Sequence, residues 1–553
     1  MKLKEKNKIL TKIKLQNCFG LILAGILFFS PIYAQRNNAV STNAQTDKIL
    51  QNASDFIQAG KLSEAETILR EYLTKSPKDN RAKVLLGVTL DQQNRFEEAE
   101  KIYRQILQTN PNDQSAQANL GILLAKTDRL PEAISMLEGV LKINPKHSQA
   151  QYNLAALYTT RNDFTKAVPL LEKITGISAS NKIPKNQDLT LLFSLTKAYA
   201  STGKKKEAVS IAEILEKQQP DDPRLLFSLG LILAESGVYE KAKQLFEKVN
   251  LLKPNNFDVL YNLGIAYYNL EELDKSRAVL QQAVDINPEK AEVFYRLGLI
   301  ASAKNETENA LGLWQKALEL RPDFPEANFL IGEKLAENRL YTGALDFYKK
   351  AAEQKSENLL YQIRYCVNLI RLKEYQEARI VLGKIQTKYA ENLNVNYLRG
   401  FLSRAEGVYD EATEAFEKVL KLSPDNPDVL SNLGFLAIQR GDKINGEKLL
   451  KQAIKLDDKN FPAYYELGRL LVRSNRIDEA LPILQRGAEI GNNDPGIYYQ
   501  LFLAFSRLKQ KDKADKSFAE FKRLEKLLDK TSGSAEKPDS TSDYPDLIEE
   551  KKP

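Results

Sequence analysis

Between Phe257 and Lys290 the chain reads FDVLYNLGIAYYNLEELDKSRAVLQQAVDINPEK, two amphipathic runs joined by a short polar stretch. In the first run Val259, Leu260, Leu263 and Tyr267 recur at helical spacing, and in the second Ala278, Val279, Ala283 and Ile286 do so until Asn287-Pro288 stops it. The pattern predicts a helix hairpin that turns at Glu271-Glu272. It returns every thirty-four residues, so that the Gly264 position recurs as Gly230, Gly298 and Gly332, then as Cys366, Gly400, Gly434, Gly468 and Phe502. Such a chain grows by stacking, and its 553 residues do not imply several separate cores.

Four repeats are predicted over residues 46–181, with small residues at Ala53, Gly87, Gly121 and Ala155, and ten over residues 189–528, from Thr196 to Phe502. Twelve residues beyond these positions stand Ala65, Ala99, Ala133 and Ala167, then Ala208, Ala242, Ala310, Ala344, Ala378, Ala412, Ala480 and Ala514, with Ser276 and Gly446 as departures. A glycine or alanine opposite an alanine lets antiparallel helices approach closely, and a proline such as Pro77, Pro111 or Pro145 ends the second helix. Tyr103, Phe246, Trp314, Tyr348, Phe416 and Phe518 hold equivalent places on the second helices and are expected in the core. The register slips once. Forty-one residues separate Ala155 from Thr196, which makes 182–188 an expected insertion loop or hinge. Gly446, Asn492-Asn493 and Phe502 depart from the pattern, so the last repeat is expected to act as a cap.

NLGIAYY at Asn262–Tyr268 with SRAVLQQAVDINP at Ser276–Pro288, and GLIASAKNETENALGLWQKALELRP at Gly298–Pro322, resemble the tetratricopeptide repeat family almost position for position. The resemblance covers about residues 46–528. It implies an all-α, right-handed superhelical solenoid of antiparallel helix hairpins, whose first helices line a concave groove that binds protein or peptide segments. Three residues before the small position stand Tyr152, Phe193, Phe227, Tyr261, Tyr295, Phe329, Tyr397, Tyr465 and Tyr499, a broken aromatic ladder expected to form a half-exposed binding wall. Two residues before it, Asn119, Asn153, Asn262 and Asn432 resemble the family's groove asparagines, which hydrogen-bond a bound peptide backbone.

Composition changes the picture mainly at the front. Lys2, Lys4, Lys6, Lys8, Lys12 and Lys14 precede an apolar or small run, Phe19–Phe29, and then Ser30-Pro31-Ile32-Tyr33-Ala34, so residues 1–34 read as an export signal cleaved near Ala34. The run is shorter than the ~20 residues a bilayer core requires, and membrane contact is expected only if the segment stays uncleaved. Its loss removes six lysines and Glu5, a net five positive charges, lowering the formal charge from +7 to +2. No nucleic-acid partner is expected of so nearly neutral a chain. Only Cys366 then remains, and it can form no internal disulfide.

Residues 35–45 form a polar lead, and 529–553 are expected to be a disordered, mildly acidic tail. His147 is the only histidine and is expected on a surface turn, which leaves no histidine-based metal cluster or triad within the chain. No catalytic residue, metal or cofactor is therefore expected, and acid pairs such as Glu97-Glu98 read as caps and solvation. The expected function is an exported, periplasmic or otherwise extracytoplasmic scaffold, not an enzyme, that binds protein segments and supports an envelope complex. The alternatives are an accessory subunit of polysaccharide export or modification machinery, where aromatics would stack on sugars, and the repeat subunit of a transferase whose catalysis lies elsewhere.

Overall fold

The computed structural model describes residues 44–177 and 188–531. The export signal, nearly all of the polar lead, the insertion at 182–187 and the tail beyond Thr531 lie outside the described residues. Among those described there are twenty-eight α-helices and no strand, from α1 (Ala44–Gln58) to α28 (Lys511–Thr531), paired as fourteen antiparallel hairpins. The odd-numbered helices are the first of each hairpin. Two compact units divide at Asn287 and Pro288. The first ends with α14 (Leu273–Ile286) and the second begins with α15 (Ala291–Ala303). Within each unit the hairpins stack as a helical solenoid, and first helices of successive hairpins touch one another throughout the first unit and at several places in the second, which marks their side as the inner face.

Most first helices begin on a repeated local device, Lys290 and Phe324 being exceptions without a side-chain cap, and each ends on another. Asp79, Asp113, Asp188, Asp222, Asn256, Asn358, Asn392, Asn426, Asn460 and Asp494 all accept a hydrogen bond from a first-turn N–H, supplying the partner that a helix start lacks. His147 does the same work for α7 (Ser148–Thr160). Its Nδ1 accepts from the Ala150 N–H at 3.2 Å, and partial burial lowers its pKa, so it is a helix cap and not merely a surface turn residue.

At the other end, seven residues after the small position, every hairpin has a left-handed residue. Glycine fills it at Gly60, Gly203, Gly237, Gly407 and Gly441, while Glu271, Arg339, Lys373 and Lys509 hold it as ordinary L-residues. The next N–H reaches back five residues, as in Arg95 to Leu90, Glu272 to Tyr267 and Arg476 to Leu471. This bond closes the helix and reverses the chain.

The small position works against a side chain sixteen residues later. A β-carbon on Gly264 would stand 2.5 Å from Leu280, and one on Gly87 2.5 Å from the Tyr103 ring. At Gly298 it would collide with the Trp314 indole, whose Nε1–H donates to the Tyr295 carbonyl at 3.2 Å. The position twelve residues on is also adjacent, since Ser276 donates to the Gly264 carbonyl at 2.6 Å. Gly446 is required for the same reason: its added β-carbon would lie 2.9 Å from the Gly434 carbonyl oxygen. Cys366 fills its small position fully buried, and desolvation pushes its thiol up to about 12.

Of the second-helix aromatics expected inside, Tyr103, Phe246, Trp314, Tyr348 and Phe416 are buried, but Phe518 is 39% exposed. Phe502 occupies the place where a glycine would admit that ring, with centroids 5.0 Å apart, and α28 belongs to the last described hairpin.

Neighbouring second helices are joined by charge. Arg476 pairs with Glu479 in its own helix at 2.6 Å and with Glu447 of the preceding hairpin at 2.6 Å. Arg95 and Arg129 repeat this geometry with Glu98 and Glu66, and with Glu132 and Glu100. Glu98 is thus an ion-pair partner and more than a solvated cap. Across the slip in register, α8 (Phe164–Thr175) packs on α9 (Leu189–Ser201), and the Tyr199 hydroxyl donates to Glu172 at 2.9 Å.

Two measurements check this account. Gly298→Ala should cost about 1–3 kcal/mol by overpacking, whereas Gly312→Ala, with open space around it, should stabilise by up to about 1 kcal/mol through helix propensity. Equal melting temperatures for the two variants would refute the close approach. Hydrogen bonds from Arg476 and Lys451 hold the Glu447 carboxyl at about 2, below its ordinary 4.5. The stability it supplies is therefore complete above the ordinary value and drains as pH falls toward the folded one. Thermal denaturation between about pH 5 and about pH 3 should show a shallower fall for Glu447→Gln than for the parent chain.

Candidate binding groove

Residues three apart share a helix face, so the residue three before the small position points where the glycine points, toward the hairpin's own second helix. The structure places the aromatic ladder accordingly. Phe193, Tyr261, Tyr295, Phe329 and Tyr397 are buried. Tyr295 lies 4.9 Å from Phe324, Phe329 4.6 Å from Tyr361, and Tyr397 5.8 Å from Phe416, all ring to ring. Tyr152, Phe227 and Tyr465 are half-buried, with Phe227 set 5.6 Å from Phe246 and Tyr465 stacked at 6.1 Å on Phe461. Tyr499 is the most open, at 40% exposure. The expectation of a half-exposed aromatic wall is corrected by this packing. These rings mainly join helices within and between hairpins.

The residue two before the small position is turned about 100° away, toward the inner face. On α5 (Gln114–Lys126) the Asn119 side chain donates to the Ser115 carbonyl at 2.8 Å, and on α13 (Phe257–Asn269) Asn262 donates to Asp258 at 2.8 Å. Asn432 does likewise to Asp428 at 2.8 Å, and its buried Oδ1 has no hydrogen-bond partner. Asn153, 4% exposed, has a side-chain nitrogen without one. Each tied amide keeps its oxygen as an acceptor. Within the first unit Asn119, Asn153 and Asn262 bring amide groups to equivalent positions of their hairpins, with Ser194 and Ser228 at those between.

The rest of that face follows at one and five residues beyond the small position. In the first unit it carries Lys126, paired with Asp91 at 2.7 Å, and then Lys197 and Glu235. Burial lowers the Lys197 pKa and raises that of Glu235, and each charge pulls the other back toward its ordinary range. In the second unit Glu333 of α17 (Pro325–Glu337) takes Arg364 of α19 (Leu359–Arg371) at 3.2 Å and the Tyr348 hydroxyl at 2.7 Å. Among the described residues no group of three or more His, Cys, Asp and Glu could hold a metal ion.

Family profiles described as tetratricopeptide repeat match residues 56–122, 124–183, 233–297 and 446–503, and further ones match 195–250, 295–358 and 402–441, together more than half of the chain. The chain belongs to the tetratricopeptide repeat (TPR) family. It is 26% identical over 114 residues to TPR repeat-containing protein YpiA of Bacillus subtilis, a match covering 21% of this chain and 27% of that one. It is 37% identical over 82 residues to small glutamine-rich tetratricopeptide repeat-containing protein 2 of Mycosarcoma maydis, covering 15% and 23%. The TPR chain thus spans about a quarter of the length of these relatives. Among solved structures the APC/C hetero-tetramer Cut9–Hcn1 aligns at 14% identity with a TM-score of 0.35, over 83% of this chain and 96% of that one.

One cluster of this TPR chain's inner face escaped the sequence reading. Phe435 of α23 (Pro427–Gln439) lies between Arg404 of α21 (Leu393–Ala405), 5.2 Å from its ring, and Arg469 of α25 (Phe461–Arg473), 5.9 Å away. Glu466 pairs with Arg469 at 2.5 Å. Burial raises its pKa, opposed by Arg469, Arg404 and Arg473 together. The signal was available at positions one, four and five beyond the small residue, where the sequence places aromatics and arginines in consecutive repeats. Tyr295→Ala should lose about 3–5 kcal/mol of stability as a buried aromatic does, while Asn262→Ala stays within about 1 kcal/mol of the parent. Chemical denaturation distinguishes them, and a stable Tyr295→Ala variant would return the ladder to the groove.

Proposed function

We propose that the chain is an exported, non-enzymatic scaffold that holds an extended segment of a partner protein along the inner face of its first unit. The observation that carries this reading is the half-buried amides Asn119 and Asn262, whose side chains share that face, with Asn153 buried between them in sequence. Both amides are anchored to their own helices with an oxygen left to accept. An extended segment offers backbone N–H and C=O groups at regular intervals, which such amides engage without selecting side chains. Half-buried Tyr152 and Phe227 flank the series and supply apolar contact. Mixed charge along this face, with Lys126 beside Asp91 and Lys197 near Glu235, favours a segment without strong net charge. Export rests on the lysine-rich front and apolar run of residues 1–34.

A photo-reactive residue in place of half-buried Ile265 in the full chain tests the reading in cells. One dominant protein adduct is expected, reduced about tenfold when Asn119→Ala and Asn262→Ala are combined. Sugar-bearing adducts, or a yield indifferent to the asparagines, would overturn it. In the same sample the mature chain should begin near Gln35, and a chain still starting at Met1 would remove the cleaved export signal.

A further inference from the structure

The last hairpin, α27 (Pro495–Arg507) with α28, presents rings on the side from which earlier hairpins of the second unit receive their successors. Three residues before the small position, Tyr295 lies 4.9 Å from Phe324 and Phe329 lies 4.6 Å from Tyr361. Both partners belong to the following hairpin. Nineteen residues after the small position, a β-carbon on Gly487 of α26 (Ile477–Ile490) would stand 3.1 Å from Ile497 of α27, again in the following hairpin. These two places therefore mark the surface by which one hairpin holds the next. In α27 and α28 they carry Tyr499 and Phe521, where earlier hairpins put buried Ala317, Ala351, Ala453 or Gly487 in the place of Phe521. Tyr499 stands 5.4 Å from Phe521 and 6.0 Å from Phe502, and Phe518 stands 5.0 Å from Phe502 and 5.9 Å from Phe521. Phe502 and Phe521 are half-buried, while Tyr499 and Phe518 are exposed. A repeat array ordinarily ends on a polar face, and exposed rings rimmed by charge mark a contact surface.

We propose that this end face is covered by the same face of a second copy of the chain, the two α28 helices lying antiparallel across a two-fold axis. The surface continues the one that joins hairpin to hairpin, so it is already shaped to receive a helix. It also carries its own complement. Phe518, Phe521, Lys522 and Glu525 share one side of α28 at helical spacing. Lys522 lies 5.2 Å from the Phe521 ring and pairs with Glu525 at 2.7 Å, while Arg523 pairs with Glu520 at 2.5 Å. The rings are thus bordered by two bases and two acids, and Lys522 and Glu525 can exchange partners with their counterparts across the axis. With 21 residues α28 is about half as long again as the 14-residue α26, which gives the pair length along which to run. Such a contact is isologous and closes on itself, so the array ends without a polar cap and does not propagate into a fibre. The pairing involves neither the first unit nor a bound peptide, and it stands or falls apart from them.

Sedimentation velocity of the full chain as recovered from cells should find a dimer. Phe518→Glu, at an exposed position, should weaken self-association at least about thirtyfold, with helix content by circular dichroism unchanged. A second measurement keeps the cluster aromatic. With p-benzoylphenylalanine in place of Tyr499, chains grown on ordinary and on heavy nitrogen are mixed, irradiated and mapped by mass spectrometry. Adducts on α27 or α28 that join a light chain to a heavy one are expected. Should Phe518→Glu lose helix content, the cross-link alone decides. A monomer in sedimentation, a dimer that a folded Phe518→Glu chain retains, or adducts confined to single chains or to another protein would overturn the proposal.

Discussion

Where a first helix with glycine at the crossing meets its second, a large side chain from sixteen residues later lies across a stretch of backbone that has no β-carbon. Tyr103 over Gly87, Phe246 over Gly230, Trp314 over Gly298 and Leu484 over Gly468 are versions of one arrangement. The bare backbone brings the helices close enough for the side chain to fill the space between them. The left-handed residue after each first helix aims the second helix at this crossing. Alanines twelve residues along, nearly all with no exposed surface, keep the second backbone near. Where the arrangement fails, at Phe502, the partner ring is left exposed.

The fold was legible because this constraint leaves a mark at a fixed interval. Gly264 and its counterparts, with the alanines beyond them, disclose both helices and their pairing. The site was harder to read for a related reason. An aromatic three residues before the glycine, such as Tyr295 or Phe329, lies on the same face as the glycine and is drawn into the same crossing. Tyr and Phe suit binding walls and packed cores equally well, and only the angle around the helix separates the two. Asn262 lies one residue further along and turns toward the inner face. Phe435 and Arg469 were invisible as a pair, because a contact between side chains thirty-four residues apart appears only after the hairpins are stacked.

The two units differ in what their inner faces present. The first carries amides, hydroxyls and partly compensated charges, a surface suited to a peptide backbone. The second gathers arginines and rings around one partly buried carboxylate. Glu466 illustrates the balance there: burial disfavours its charge, and three guanidiniums recover only part of that cost.

The constant offset of the interfaces bears on how such a gene can change length. The ion pairs of Arg95 with Glu66, Arg129 with Glu100 and Arg476 with Glu447 all span the same interval. An in-frame duplication or loss of one whole period leaves each surviving interface with a partner of the same kind, so the array can be lengthened or shortened without redesign of its core. A change of any other length must fall between hairpins, as the seven extra residues between Ala155 and Thr196 do, where α8 and α9 still meet. Exchange of whole periods is thus tolerated by the same geometry that holds the helices together.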